Sequence, residues 1–300
     1  MLKPIPSPLN YTGGKFKLLP QLLAHFPEEI DTFVDLFCGG CNVGINVEAD
    51  QVIFNDVSAE LISLYTTFQS QPPEAVFREI QAVIDTYGLS RSNVHGYEYY
   101  ACDSSKGLGP VNREAFLHLR EVCNGEGPPP DSILLFVLIV YAFNNQIRFN
   151  QKGAFNLPVG KRDFNDRMQQ KLEDFLVRIG ERKYEFLCKD FRAFDPSGLT
   201  EKSLVYCDPP YLITCATYNE QGGWKEKDER DLLDFLDDLD ARGFRFALSN
   251  VLESKGLQNK LLFDWSKRYN VAHLEYHYRN SSYQRKDKTQ SADEVLITNY

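Results

Sequence analysis

Short apolar runs bounded by turn residues alternate with longer amphipathic stretches toward both ends of the chain, a pattern that predicts an α/β sheet protein. Residues 32–37 (TFVDLF) read as a strand running into Cys38-Gly39-Gly40-Cys41, with residues 42–47 as the start of a helix. Residues 51–55 (QVIFN) read as a second strand ending at Asp56, followed by a helix over 58–68. This opening predicts a doubly wound, Rossmann-like sheet. The rhythm returns with a helix over 168–179 and strands over 184–188, 203–207 and 244–248, which end at Asp190, at Asp208 and at Ser249-Asn250. Residues 271–278 and 294–299 read as closing strands.

The middle of the chain has a different texture. Residues 73–131 are rich in helix formers and show no clear strand. Residues 133–143 (ILLFVLIVYAF) are apolar on every face, as in a buried helix. Residues 144–159 carry Asn, Gly and Pro around short aromatic runs and predict a hairpin. The expected organisation is an α/β core, 1–66 and 159–300, with a mainly helical insertion, 67–158, that includes a hairpin near 143–158.

Composition narrows the classes. At 300 residues with 25% charged, the chain suits one large globular domain or a core with an insertion. The apolar run at 133–143 is too short to span a bilayer, and the N-terminus lacks the basic-then-apolar signal-peptide pattern. A cytoplasmic protein with no membrane partner is expected. The 7 cysteines fall at irregular spacing and read as reduced thiols. Cys38 and Cys41 form a C-x-x-C with no second pair or histidine cluster, so the expectation is small residues in a tight turn and no metal.

The net charge of −9 counts against nucleic acid only as a sum. No acid precedes Glu28, while Lys3, Lys15 and Lys17 do. Residues 143–162 hold Arg148, Lys152, Lys161 and Arg162 without an acid, and residues 279–290 set Arg279, Arg285, Lys286 and Lys288 against Asp287 alone. The acid concentrates instead in 226–240 (EKDERDLLDFLDDLD), which reads as an amphipathic helix with Leu232, Leu233, Leu236 and Leu239 inward. Such a chain can bind nucleic acid at its basic patches.

Candidate chemistry gathers at strand ends: Asp35 to Gly40, Asp56, Asp190, and Asp208 to Tyr211. In open α/β sheets, ligands bind at the carboxyl ends of the strands. The glycines after the first strand let a ligand approach the backbone, although a plain strand-to-helix turn uses the same residues. Asp56 suits a carboxylate gripping ribose hydroxyls; it also competes with Ser58 to cap the next helix. Asp208-Pro209-Pro210-Tyr211 is sharper. The prolines end the strand, and a carboxylate beside a proline carbonyl offers two acceptors that match the two N–H donors of an exocyclic amine. Tyr211 offers a ring to stack on a flat base. Hydrogen bonds to both N–H groups would favour a tetrahedral nitrogen whose lone pair can attack an electrophilic methyl group.

With these motifs in view, the chain resembles the Dam-type (D12 class) site-specific DNA adenine-N6 methyltransferases, nearly end to end. Asn10 to Lys15 (NYTGGK) resembles the family's opening cofactor motif, with Tyr11 where Trp is usual. Residues 35–46 (DLFCGGCNVGIN) match the glycine motif, Asn55-Asp56 the ribose-binding acid, residues 143–161 (FNNQIRFNQKGAFNLPVGK) the DNA-reading hairpin, Ser249-Asn250 a later Ser-Asn, and Arg279 to Ser282 a C-terminal DNA-contacting segment. The resemblance implies an S-adenosyl-L-methionine-dependent methyltransferase sheet with an inserted target-recognition domain. It implies cofactor contacts from Tyr11, Lys15, Phe37, Gly39, Asp56, Asp190, Phe191 and Asp208, and a target adenine held by Asp208, Pro209 and Tyr211. It assigns DNA contacts to Phe143, Asn144, Arg148, Asn150, Lys152 and Arg279. Arg148 suits a bidentate contact to guanine, although Arg148 and Lys152 would serve equally as phosphate contacts.

The expected reaction is methylation of a flipped adenine in duplex DNA, with GATC as the family's commonest site. Departures at Tyr11, Phe143, Gln146-Ile147 and residues 157–159 bear on the recognition sequence rather than the chemistry. The expected partners are double-stranded DNA and a cognate restriction endonuclease that is not physically bound, with the enzyme a monomer. Two alternatives stand beside this reading. An N4-cytosine methyltransferase would favour Ser at position 208. An idle DNA-binding relative would show decay at Lys15, Gly39, Asp56 and Asp208, all of which are intact.

Overall fold

The computed structural model describes residues 3–125, 131–213, 223–275 and 292–300. In chain order its elements are α1 (Leu19–His25), β1 (Thr32–Asp35), β2 (Gln51–Asp56), α2 (Ala59–Ser70), α3 (Pro73–Tyr87), α4 (Ser92–Tyr99), α5 (Gly109–Cys123), α6 (Ser132–Tyr141), α7 (Asp166–Glu181), β3 (Glu185–Cys188), β4 (Leu204–Cys207), α8 (Glu226–Ala241), β5 (Arg245–Ser254), β6 (Leu257–Gln258), α9 (Lys260–Ser266), β7 (Asn270–Leu274) and β8 (Asp293–Thr298). They form two compact units, one of Lys15–Val57 and Leu187–Tyr300, the other of Leu2–Gly14 and Ser58–Phe186.

The first unit carries the sheet, in the order β3-β2-β1-β4-β5-β8-β7, with β6 paired to β5. β1 pairs in parallel with β2 and with β4, and β4 in parallel with β5. β8 runs antiparallel to both β5 and β7. The chain steps outward from β1 through β2 to β3 and then returns to lay β4 on the other side of β1. That reversal opens a crevice at the carboxyl ends of β1 and β4, where ligands of doubly wound sheets sit. Every residue of β4 is buried, and Phe33 and Val34 of β1 are fully so. Covered strands of this kind are continuous apolar runs rather than alternating ones. Leu232, Leu233, Leu236 and Leu239 of α8 join Val205, Phe246 and Leu248 in the core, as their spacing predicts.

Two local expectations fail for physical reasons. Residues 42–47 do not begin an α-helix; they hold only a 3-10 turn, Gly44–Asn46. Gly44 is pressed so closely on β2 that a Cβ there would lie 2.4 Å from the Phe54 ring and 3.1 Å from Asp35 Oδ2. The strand expected to end at Ser249-Asn250 continues to Ser254, because both residues pair with β8 and their side chains are satisfied inside. Ser249 Oγ lies 2.8 Å from the Tyr206 hydroxyl, and Asn250 donates to Glu229 at 3.3 Å. The strand expected over 271–278 is β7, Asn270–Leu274; residues 276–278, like Arg279 and residues 280–290, lie outside the described residues.

The second unit is helical. α6 is buried along nearly its whole length and packs against α2, α3 and α5. Asp131 caps it by accepting from the backbone N–H groups of Ile133 and Leu134. Phe68 of α2 meets Phe136 of α6 at 5.4 Å and Phe175 of α7 at 6.3 Å between ring centroids. These contacts join α2, α6 and α7 within this unit. Residues 142–159 form a hairpin-like loop held by two isolated antiparallel bridges, Ala142 with Val159 and Phe149 with Phe155, rather than by a ladder. Side chains of α5 and its C-terminus take over the missing bonds. Asn124 both accepts from and donates to the Phe155 backbone, at 2.8 and 2.9 Å, and Arg120 donates to the Leu157 carbonyl at 3.1 Å. Among the described residues, no helix is long and apolar enough to cross a membrane.

The base of this loop depends on Gly160, whose N–H donates to the Tyr141 carbonyl at 2.7 Å. A Cβ at this position would lie 2.3 Å from the Ala142 carbonyl oxygen, a backbone atom that cannot step aside. Gly160→Ala is expected to lower the unfolding free energy by about 1–3 kcal/mol in denaturant titration. An unchanged midpoint would show that the loop base yields.

Candidate active site

The sheet unit brings four side chains together at the carboxyl end of β4. Asp208 follows the strand directly, because Pro209 and Pro210 cannot continue the ladder. Lys15, from the 3-10 turn before α1, places its ammonium 2.9 Å from Asp208 Oδ1 and 3.4 Å from Glu294 Oε1 at the start of β8. The Tyr211 hydroxyl is 3.0 Å from Asp208 Oδ1 and 3.3 Å from Glu294 Oε1. The Lys15 ammonium also stands 5.0 Å from the centre of the Tyr211 ring. Lys15 is only 4% exposed, so its charge is matched inside the protein rather than by water.

Electrostatics follow from burial. Loss of water would depress the Lys15 ammonium, but Asp208 and Glu294 together more than offset it and hold its pKa above the usual value. Burial raises the carboxyls of Asp208 and Glu294 above the usual range, with Lys15 pulling both back. Burial also pushes the Tyr211 hydroxyl well up, so it remains a donor. Every hydrogen bond and ion pair that Asp208 makes among the described residues falls on Oδ1. Oδ2 carries none among those residues, and neither does the Pro209 carbonyl. Two adjacent acceptors are thus left for a ligand with two N–H donors.

The glycine loop lies at the end of β1, which neighbours β4. Gly39 has a left-handed backbone, φ 45°, and its N–H donates to Asp56 Oδ2 at 2.9 Å. Ser58 wins the competition to cap α2, accepting from Leu61 N–H at 3.3 Å, and so leaves the Asp56 carboxylate at the tip of β2 for the loop. Asn55 braces the β3 end by donating to the Lys189 carbonyl at 3.0 Å. Asp35 is buried beneath, accepting from Gly44 N–H at 3.0 Å. Phe37, Phe191 and Trp224 form an aromatic cluster with centroid separations of 5.5–5.9 Å. Asp190 starts the turn that carries Phe191 by accepting from Arg192 N–H, and Arg192 binds Asp190, Asp228 and Asp231. A carboxylate at a strand tip, a backbone bare of Cβ at Gly39 and an aromatic wall are a donor set that fits a nucleoside with a cis-diol.

The remaining sequence-predicted residues lie in the helical unit. The Tyr11 carbonyl accepts from Gly14 N–H at 3.1 Å, and neighbouring Asn10 donates to the Asn144 carbonyl at 2.9 Å. Asn144 and Asn145 both adopt left-handed backbones, φ 54° and 52°, beside Phe143, whose ring is 47% exposed. Phe149 and Phe155 pack edge to face at 5.8 Å, which assigns them to the loop's own core. Among the described residues, the Arg148 side chain makes one hydrogen bond, its Nε donating to Asn156 at 2.7 Å. Asn150 accepts from the N–H groups of Lys152 and Ala154 and shapes the turn, with Lys152 exposed at its tip. Arg279 lies outside the described residues.

Glu294, Trp224 and Glu229 were not legible as site residues. Glu294 opens an ordinary closing strand, and only long-range pairing brings it to Lys15. Glu229 reads as one more acid on a solvated helix face, yet it is fully buried and accepts from Trp224, Asn250 and Asn259 at 2.6, 3.3 and 2.9 Å.

A largely parallel sheet closed by an antiparallel strand carries a glycine turn after β1, an acid ending β2 and Asp-Pro-Pro-Tyr after β4, the arrangement of a Rossmann-like methyltransferase fold. The chain belongs to the D12 class N6 adenine-specific DNA methyltransferase family, whose model matches residues 11–280. S-Adenosyl-L-methionine is the methyl donor of this family. The chain is 42% identical over 302 residues to the type II methyltransferase M.FokI of Planomicrobium okeanokoites, covering 99% of this chain and 43% of the relative. It is also 42% identical over 306 residues to the modification methylase StsI of Streptococcus sanguinis, again covering 99% and 43%. The DNA adenine methylase of Escherichia coli is 26% identical over 211 residues, 70% of this chain and 66% of that protein. The chain therefore spans less than half the length of M.FokI and StsI.

Burial raises the Asp35 carboxyl from an ordinary 3.8 to about 7. A folded-state value above the unfolded one contributes stability that is full below the unfolded value and is lost as pH rises through the folded value. The wild-type protein is expected to lose stability between about pH 4 and pH 7 through this group, by up to about 4 kcal/mol. Asp35→Asn keeps an acceptor for Gly44 and is expected to remove that part of the pH dependence in parallel denaturant titrations. Superimposable wild-type and variant profiles would contradict the assignment.

Proposed function

We propose that the chain transfers a methyl group from S-adenosyl-L-methionine to the N6 amine of an adenine flipped out of duplex DNA. The observation that carries this reading is a pair of acceptors on successive residues at the end of β4, Asp208 Oδ2 and the Pro209 carbonyl, that carry no hydrogen bond among the described residues, two residues before Tyr211. The cofactor supplies an electrophilic methyl group on a sulfonium. Asp56 and Gly39 hold its ribose, Asp190 and Phe191 flank its adenine, and Phe37, Tyr11, Lys15 and Asp208 complete its contacts. Asp208 and Pro209 accept the two N6–H bonds and direct the nitrogen lone pair; Tyr211 stacks on the base. The gain is positioning and preorganised charge.

Recognition falls to the helical unit, including the segment 67–158. Phe143 is an exposed apolar ring next to two strained asparagines, which suits a wedge that fills the space left by a flipped base. Arg148 has both terminal nitrogens without a hydrogen bond among the described residues, which suits a bidentate contact to guanine. Asn144, Asn150, Lys152 and Arg279 supply further base and phosphate contacts. GATC is the first target to test. Identity is higher to the modification methylases than to the DNA adenine methylase of E. coli, which makes the loop at 143–159 the place where a different target would be written. The protein acts as a cytoplasmic monomer, with a restriction endonuclease as its functional but unbound counterpart.

Incubation with the cofactor and unmethylated plasmid, followed by single-molecule sequencing, is expected to map N6-methyladenine to one short motif. Asp208→Ala is expected to stay folded, less stable by about 3–5 kcal/mol because Lys15 loses its nearest counter-charge, and to lose at least about 100-fold in methyl transfer. Full activity in that variant would sink the mechanism. Arg148→Ala is expected to relax discrimination at one G·C position by about 1–3 kcal/mol. A uniform loss across all sequences would make Arg148 a phosphate contact instead.

A further inference from the structure

Methylation at N6 leaves one proton too many on the nitrogen. In the reading above, Asp208 Oδ2 faces that nitrogen and is its nearest base. Yet Asp208 is also the partner of a buried ammonium. If it takes a proton, Lys15 loses its nearest counter-charge in a site almost closed to water. An uncompensated buried charge costs several kcal/mol, which would oppose the transfer.

The structure holds a second carboxylate against this loss. Glu294 shares both donors with Asp208: Lys15 at 3.4 Å against 2.9 Å, and the Tyr211 hydroxyl at 3.3 Å against 3.0 Å. Tyr211 has one hydroxyl proton for two carboxylate oxygens, so it can turn to Glu294 when Asp208 becomes neutral. Binding an amine between Asp208 and Pro209 does not itself require Glu294. Its strand neighbours are Val251 and Leu274, neither of which titrates. Among the described residues, the titratable groups that face the cluster are Lys15, Asp208 and Tyr211, with Tyr206 and Asp35 beneath.

We propose that Glu294 is a positioning residue, the reserve counter-ion that keeps Lys15 and Tyr211 paired while Asp208 accepts the N6 proton. The inference rests on the methyl-transfer reading. In the step, the nitrogen lone pair forms the C–N bond as the C–S bond breaks and its electron pair stays on sulfur. The N6–H bond then breaks, its pair returns to nitrogen, and the proton bonds to Asp208 Oδ2. Asp208 becomes neutral, Glu294 stays anionic, and Lys15 remains matched. Exchange with solvent restores Asp208 for the next turnover. The raised carboxyls of both acids agree with a pair poised to hold one proton between them.

The test is single-turnover methyl transfer across pH with the full chain, comparing wild type, Glu294→Gln and Glu294→Asp. Cofactor binding is measured by calorimetry and DNA binding by gel shift. Glu294→Gln is expected to bind both ligands within about threefold of wild type and to lose on the order of 10- to 100-fold in the transfer rate. Without the negative charge of Glu294 beside it, Asp208 loses a repulsion that favours its protonated form and becomes a weaker base, so the acid limb of the pH–rate profile is expected to move to lower pH. Glu294→Asp, which keeps the charge on a shorter stem, is expected to restore the acid limb. A Glu294→Gln enzyme with wild-type rate and acid limb overturns the inference. So does a slow variant whose acid limb stays in place, since a merely structural loss would do that. If wild type itself makes no N6-methyladenine, the methyl-transfer reading fails first, and the two failures are distinct.

Discussion

The site depends on one buried ion pair, Lys15 with Asp208. Each charge would be costly alone at this depth, and losing either partner of such a pair typically costs about 3–5 kcal/mol. The pair fixes which oxygen of Asp208 is occupied and therefore which is left for a ligand. It also ties the turn before α1 to the end of β4, and Lys15 reaches the start of β8 through Glu294, elements far apart in sequence. The two prolines after Asp208 matter for the same reason: they stop the strand where the carboxylate must stand free of the ladder.

Much of this was readable along the chain. The strand ends at Asp35, Asp56 and Asp208 stood out because apolar runs stop at acids, glycines or prolines, and those stops are local. The acidic helix over 226–240 was readable from the spacing of its leucines. What the sequence hid was long-range or context-bound. Gly44 stops a helix because Phe54 lies against it, which no local pattern reveals. Ser249 and Asn250 look like a strand's end because they are polar, but Tyr206 and Glu229 satisfy them inside the sheet. Glu294 looks like the first residue of a plain strand.

The charge pattern takes on a different weight once the fold is known. A chain of net charge −9 looks unsuited to DNA, yet much of its acid is spent internally or on neighbouring cations. Asp190, Asp228 and Asp231 surround Arg192, Asp237 holds Arg268, and Glu229 is buried in a polar network. The loop over 143–162 keeps its four basic residues without an acid, so its field is set locally rather than by the total. In the proposed function, that loop meets a DNA partner suited to its charge, and the sheet unit a methyl donor suited to its carboxylates and aromatic wall.

The most direct test is to digest plasmid DNA to nucleosides after reaction with cofactor carrying a labelled methyl group, and to identify the labelled product by mass spectrometry. Label is expected in N6-methyladenine alone. Label in N4-methylcytosine, or none from a protein that still binds cofactor and DNA, would contradict the proposed function.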